Sequence, residues 1–215
     1  SAHVINFIMQ KYEYGGYLKA YANEFFIANS GQLNLYSKFQ YKQITYDLGV
    51  GGYYRNGSHD FNNTVETYRL PQADGSIKQF GRYSITNDAE SRRRYFWPTF
   101  KALYRTDKIS ISNTIGATFD NYPKENTSGS VYFLPADFTK SDFVNEANHR
   151  QNYITYNGYW KFILPHGNTI NFAPYYSYSH SKQNSRYIEG QSSEYINNAL
   201  DNTHKASGNL RFQHD

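Results

Sequence analysis

The feature that most limits what this chain can become is the length over which apolar and polar residues alternate in residues 94–121, RYFWPTFKALYRTDKISISNTIGATFDN. On the first arm Phe96, Pro98, Phe100, Ala102 and Tyr104 share one parity, and Tyr95, Trp97, Thr99 and Lys101 the other. On the second arm Ile109, Ile111, Ile115, Ala117 and Phe119 alternate with Ser110, Ser112, Thr114, Thr118 and Asp120. Strand side chains point to opposite faces with a period of two, so both arms are predicted strands with one apolar and one polar face. The turn between them is placed at Thr106-Asp107. A typical strand runs for about 5–6 residues, whereas a tilted strand crossing the hydrocarbon of a bilayer needs about 9–11. Both arms reach the longer figure. Asn113 interrupts the apolar parity of the second arm.

Composition bears on what that apolar face meets. The chain has 215 residues, enough for one domain or a part of a larger one. Its mean hydropathy of -0.80 is very polar, yet 19% of its residues are aromatic, mostly 23 Tyr and 15 Phe. A membrane barrel reconciles the two, since alternate residues face water and the interfaces collect aromatic rings. No stretch approaches the ~20 apolar residues of a spanning helix, which excludes a helical membrane protein. With no Cys, disulfides, thiol nucleophiles and thiolate metal sites are excluded. The net charge of +4 is spread along the chain, unlike a nucleic-acid footprint. No phosphate-binding loop, nucleophile elbow, dinucleotide fingerprint or metal-ligand spacing is present, so neither an enzyme nor a cofactor is expected. His59, His149 and His204 fall in or beside predicted loops and are read as solvated. The Asn-X-Ser/Thr triplets at Asn56, Asn62 and Asn126 are read as turn composition.

Further amphipathic strands are predicted at residues 3–11, 16–26, 32–41, 44–55, 150–164, 169–181 and from 205 onward. Leu33, Leu35, Leu48, Val50, Phe100, Ile111, Ile115, Phe162 and Phe172 are assigned to one face; Asn34, Lys38, Lys101, Thr114, Asn157 and Lys161 go to the other. Tight turns are expected at residues 29–31, 42–43, 106–107 and 165–168, and long irregular loops at 56–93, 122–148 and 183–202, with an inner hairpin at Asp74-Gly75. Short turns alternating with long loops is the arrangement of outer-membrane barrels, which places the short turns in the periplasm and the loops outside. The expected fold is therefore all-β, an antiparallel up-and-down transmembrane β-barrel, partial, with about eight long strands.

Residues 2–11, AHVINFIMQK, resemble the end of the plug domain in TonB-dependent outer-membrane receptors, where an apolar V-I-N-[IF] strand with a basic end leads into the first barrel strand. Val4-Ile5-Asn6-Phe7 and Lys11 carry the likeness, and residues 16–26 arrive where the family places that first strand. The resemblance implies residues 1–15 as the end of the plug and its linker, and residues 16–215 as the N-terminal portion of the barrel. It further implies import of a scarce ligand such as a siderophore, cobalamin or glycan, driven through TonB by a segment not present here. Because residue 1 is Ser and no signal peptide follows, a processed chain or a fragment is expected.

Arg92-Arg93-Arg94 is the densest charge run, readable as an anion or carboxylate contact at the outer mouth, or as a strand end facing lipopolysaccharide phosphates or water. Tyr53, Tyr95 and Trp97 share the polar parity near that mouth, where rings stack on sugars or flat chelates or fill space against a plug. Arg92, Arg93, Tyr53, Tyr95 and Trp97 are the candidate ligand-binding residues. The expected partners are outer-membrane lipid and a small-molecule, chelate or oligosaccharide ligand. Two other readings stand beside this one: a complete small barrel acting as adhesin or narrow channel, and a soluble carbohydrate-binding β-protein.

Overall fold

The computed structural model describes residues 14–26, 29–57, 63–135, 140–191 and 193–214. The segment resembling a plug end, Val4 to Lys11, lies outside the described residues. Nine strands form one antiparallel sheet: β1 (Tyr14–Phe25), β2 (Ser30–Tyr41), β3 (Ile44–Asn56), β4 (Asn63–Pro71), β5 (Ile77–Arg105), β6 (Ile109–Leu134), β7 (Ser141–Ile163), β8 (Thr169–Glu189) and β9 (Ser193–Gln213). Strand neighbours follow chain order, except that β4 pairs with the far half of β5 while β3 pairs with its near half. The all-β, up-and-down class is as expected. The sheet does not close on itself among the described residues: β1 and β9 are its two ends.

The register separates the two assigned faces. Counting across the sheet, Leu18, Leu48, Phe100, Ile115, Tyr156 and Tyr176 fall in one row, and the neighbouring row carries Leu35, Val50 and Ile154. All nine residues assigned to the apolar face lie on it, and all six assigned to the polar face lie opposite. The apolar face is uncovered: Leu18 is 70% exposed, Ile115 50% and Leu210 71%. Asn113 on that face is satisfied locally, its Oδ1 accepting from the Tyr156 hydroxyl at 2.7 Å and the Trp160 indole at 2.9 Å. On β8 and β9 the same face turns polar, but His180 bonds Asn202 and Tyr176 bonds His204. The polar face is cross-linked in its turn, with Asp47 accepting from Tyr36 at 3.1 Å and pairing with Lys38 at 3.5 Å.

The expected long loops are corrected. Residues 56–93, 122–148 and 183–202 are mostly strand: β4 and the far half of β5, the far halves of β6 and β7, and the β8–β9 hairpin that turns at Gly190. His149 and His204 therefore sit within β7 and β9 and not in loops. The inner hairpin at Asp74-Gly75 is present, with Gly75 at φ +81 and the Asp74 carboxylate accepting from the Ser76 amide at 2.9 Å. The turns at the opposite end are tight, at Lys42-Gln43, at 106–108 and at 164–168. All strands but β4 thus come level at that end, while at the other the sheet is low over β1–β3 and rises over β5. There β5 continues about 50 Å past Arg93 at roughly 3.3 Å per residue. Two bulges, at Asn87 in β5 and around Pro123 in β6, offset the register of this tall part. A bulge is where a strand tolerates proline, which has no amide hydrogen to give the ladder.

The tall part holds what little core the described residues have. On the continuation of the polar face Val131 is 0% exposed and Phe143 7%, and Ala89 is also buried. Phe143 stacks on Tyr187 with ring centroids 6.0 Å apart, and Phe80 lies between Tyr68 and Phe133. Over them the Arg82 guanidinium donates to Tyr187 at 2.7 Å, Glu189 at 3.0 Å and Glu66 at 3.2 Å. Arg82 is on β5 and Tyr187 on β8, about 14 Å apart on a flat sheet at ~4.8 Å per strand, so the pair leans inward across β6 and β7 and seals the apolar residues beneath.

Candidate functional site

Four of the five candidate residues come together at the border between the low and tall parts of the sheet, on the polar face. Tyr53 on β3 faces Tyr95 on β5 across the ladder, Gly51 faces Trp97, and Arg55 faces Arg93. The Tyr95 and Trp97 rings lie 4.8 Å apart at 38°. Trp97 lies flat over Gly51, where an added Cβ would come within 2.1 Å of the indole; the missing side chain is what lets the ring settle against the backbone. Arg92 does not join them. One residue along the strand, it points to the other face and bonds Glu90 at 3.0 Å.

Arg93 is held on every side. Its Nε and Nη2 donate to the two oxygens of Asp120 at 3.0 and 2.7 Å, a bidentate fork that is stronger than a single surface contact. Its guanidinium lies 5.2 Å from the Tyr95 ring and 4.9 Å from the Tyr122 ring, within cation–π range of both. Hydrogen bonding to Asp120 keeps the guanidinium charged even further above neutrality than usual, and burial pushes the Tyr122 phenol up. The charge expected to meet an anion is thus already neutralised by Asp120. What remains open is the aromatic shelf of Tyr53, Tyr95 and Trp97, beside a hollow bounded by Thr99, Gly116, Thr118, Tyr153 and Thr155.

Asp120, Tyr122 and Gly51 were not among the candidates, although counting finds two of them. Once Arg105 faces Ser110 at the turn, steady pairing puts Tyr95 opposite Asp120. The same count carries on to Arg93 opposite Tyr122, because the bulge at Pro123 begins only beyond it; Gly51, on β3, is not reached by counting within this hairpin. Among the described residues no group of three or more His, Asp or Glu is placed to hold a metal ion, and His59 lies outside them. Comparison with protein-family models, with curated proteins and with solved structures gives no match for this chain.

Proposed function

We propose that this chain is the plug end and N-terminal barrel portion of a TonB-dependent outer-membrane transporter, with the polar face toward the lumen and the tall part of the sheet outside the cell. The observation that carries the membrane reading is the apolar face: a continuous band on residues 96–104 of β5 and the matching stretches of its neighbours, uncovered by anything among the described residues. A soluble sheet buries such a face under a second layer, and contiguous exposed apolar patches of this extent are rare on soluble proteins. This weighs against the soluble carbohydrate-binding reading. The edges of β1 and β9, unpaired among the described residues, weigh against a self-closed small barrel, because unpaired backbone groups in hydrocarbon cost several kcal/mol each. Energy coupling and scarce-ligand import follow from the resemblance at Val4 to Lys11. The ligand contact we propose is stacking of a sugar or flat chelate on Tyr53, Tyr95 and Trp97, with Arg93 and Asp120 fixing the shelf.

The two tryptophans test the orientation of the faces, since Trp160 is on the apolar face and Trp97 on the polar one. In vesicles of brominated phosphatidylcholine, the Trp97→Phe protein, which keeps Trp160, should lose most of its fluorescence, and the Trp160→Phe protein should keep most of it. The opposite pattern reverses the faces, and a protein that does not float with the vesicles ends the membrane reading. Orientation in the cell is checked by single cysteines: Asn126→Cys should react with an impermeant thiol reagent on intact cells and Asp107→Cys should not.

A further inference from the structure

Resting on the membrane reading, we infer a site on the lipid-facing side for a phosphate-bearing acyl lipid of the outer leaflet. Directly above the apolar band one row of the register runs Glu24, Gly31, Tyr54, Arg94, Asn121, Arg150, Lys182, Leu200. Arg94, Arg150 and Lys182 in that row are exposed, and none of them has an ion-pair partner among the described residues. Their neighbours differ in this respect: Arg82, Arg92, Arg93, Lys124 and Arg186 are all paired with carboxylates. Arg94 and Arg150 are two strands apart, about 9–10 Å between backbones, with the Asn121 amide between them. Two long guanidinium side chains and an amide at that backbone spacing can reach one phosphate together.

Below the cations is a groove of about 970 Å³ that Arg94, Asn121, Arg150 and Asn152 rim and Leu33, Leu35, Val50, Gly52, Phe96 and Phe119 floor. Gly52 makes the hollow. It stands in register between Leu33 and Phe96, and a Cβ there would meet nothing nearer than 3.8 Å. The groove has the polarity of an acyl chain and its mouth that of the chain's phosphate. Glu24 lies at the far side of the rim, and its carboxylate is taken by the Tyr54 hydroxyl.

The test uses the full-length protein in phosphatidylcholine nanodiscs doped with lipid A, a phosphorylated, multiply acylated glycolipid, with native mass spectrometry reading the lipid retained. Wild type should keep lipid A. Arg94→Gln with Arg150→Gln should lower retention at least about tenfold, as expected for losing two charge-assisted contacts to one phosphate. Gly52→Leu, which fills the groove and leaves the charges, should lower it too. Quenching of Trp160 by brominated phosphatidylcholine, in the Trp97→Phe background, serves as the control that each variant is inserted. Unchanged retention in the double variant, or equal retention of dephosphorylated lipid A, overturns the site. Displacement of lipid A by inorganic phosphate alone reduces it to a free-anion site and also overturns it. If the protein fails to insert, the membrane reading falls and this inference with it; insertion without lipid A preference sinks only the inference.

Discussion

Below the row of Arg94 the two faces of the sheet differ in polarity from β2 through β7; above it they barely differ, yet the strands continue without a break. The lower part exposes Leu48, Phe100 and Ile115 on one side and holds Lys38, Asp47 and Lys101 on the other. The upper part is polar on both sides and buries only a small cluster around Val131 and Phe143. Both are antiparallel ladder. Alternation, then, records that two faces differ in polarity; it does not record whether a segment is a strand. Where both faces meet water the backbone can still pair while the side-chain pattern fades.

Three perturbations press on that contrast. The largest effect is expected at Phe143→Ala, which opens a cavity under Arg82 and Tyr187 and should cost the upper part about 3 kcal/mol or more. Hydrogen exchange should speed up in the far halves of β5–β8 and stay slow in residues 96–104; uniform acceleration would make the two parts one cooperative unit. Next is Ile115→Arg, which should cost roughly 2–4 kcal/mol in a vesicle-folding titration, against far less for Thr114→Arg one residue away on the other face. Equal costs would erase the distinction between faces.

The smallest effect is of pH and is confined to the upper part. Burial, helped by a hydrogen bond to Glu189, pushes the Tyr187 phenol from 10.0 up to about 12. The unfolded chain then loses this proton first, and the upper part should lose stability as pH rises from 10 toward 12, less so in Tyr187→Phe. Glu66 runs the other way: hydrogen bonding from Tyr68, with help from Arg82, holds its carboxyl below 4.5. Its contribution is present above 4.5 and fades as pH falls below that value. Hydrogen exchange in the far half of β5 across these ranges is the measurement. A response as large in residues 96–104 would place the titrating groups elsewhere.

The lower part was legible because an apolar face set against a polar one leaves a parity that survives Asn113 and Pro98. The aromatic shelf was legible for the same reason, since Tyr53, Tyr95 and Trp97 share the polar parity and face one another across β3 and β5. Arg92 was misplaced because the triple arginine reads as one patch in sequence, while a strand sends neighbours to opposite sides. The Arg82 node was out of reach: its partners Glu66 and Glu189 sit on β4 and β8, and no local pattern relates them. The far halves of β5–β7 looked like loops because Gly81, Asn87, Pro123 and Gly129 are turn-formers placed in bulges or polar ladder.

The order in which neighbours pair has a kinetic consequence. Every backbone ladder from β5 to β9 joins a strand to the next in the chain, across turns as short as residues 106–108, so the sheet can grow hairpin by hairpin with little loop entropy lost at each step. On the proposed barrel reading, joining the outer edges of β1 and β9 to the strands that complete them is of another kind. It is the late, long-range event, and the rate of assembly should depend on it more than on any turn within the sheet.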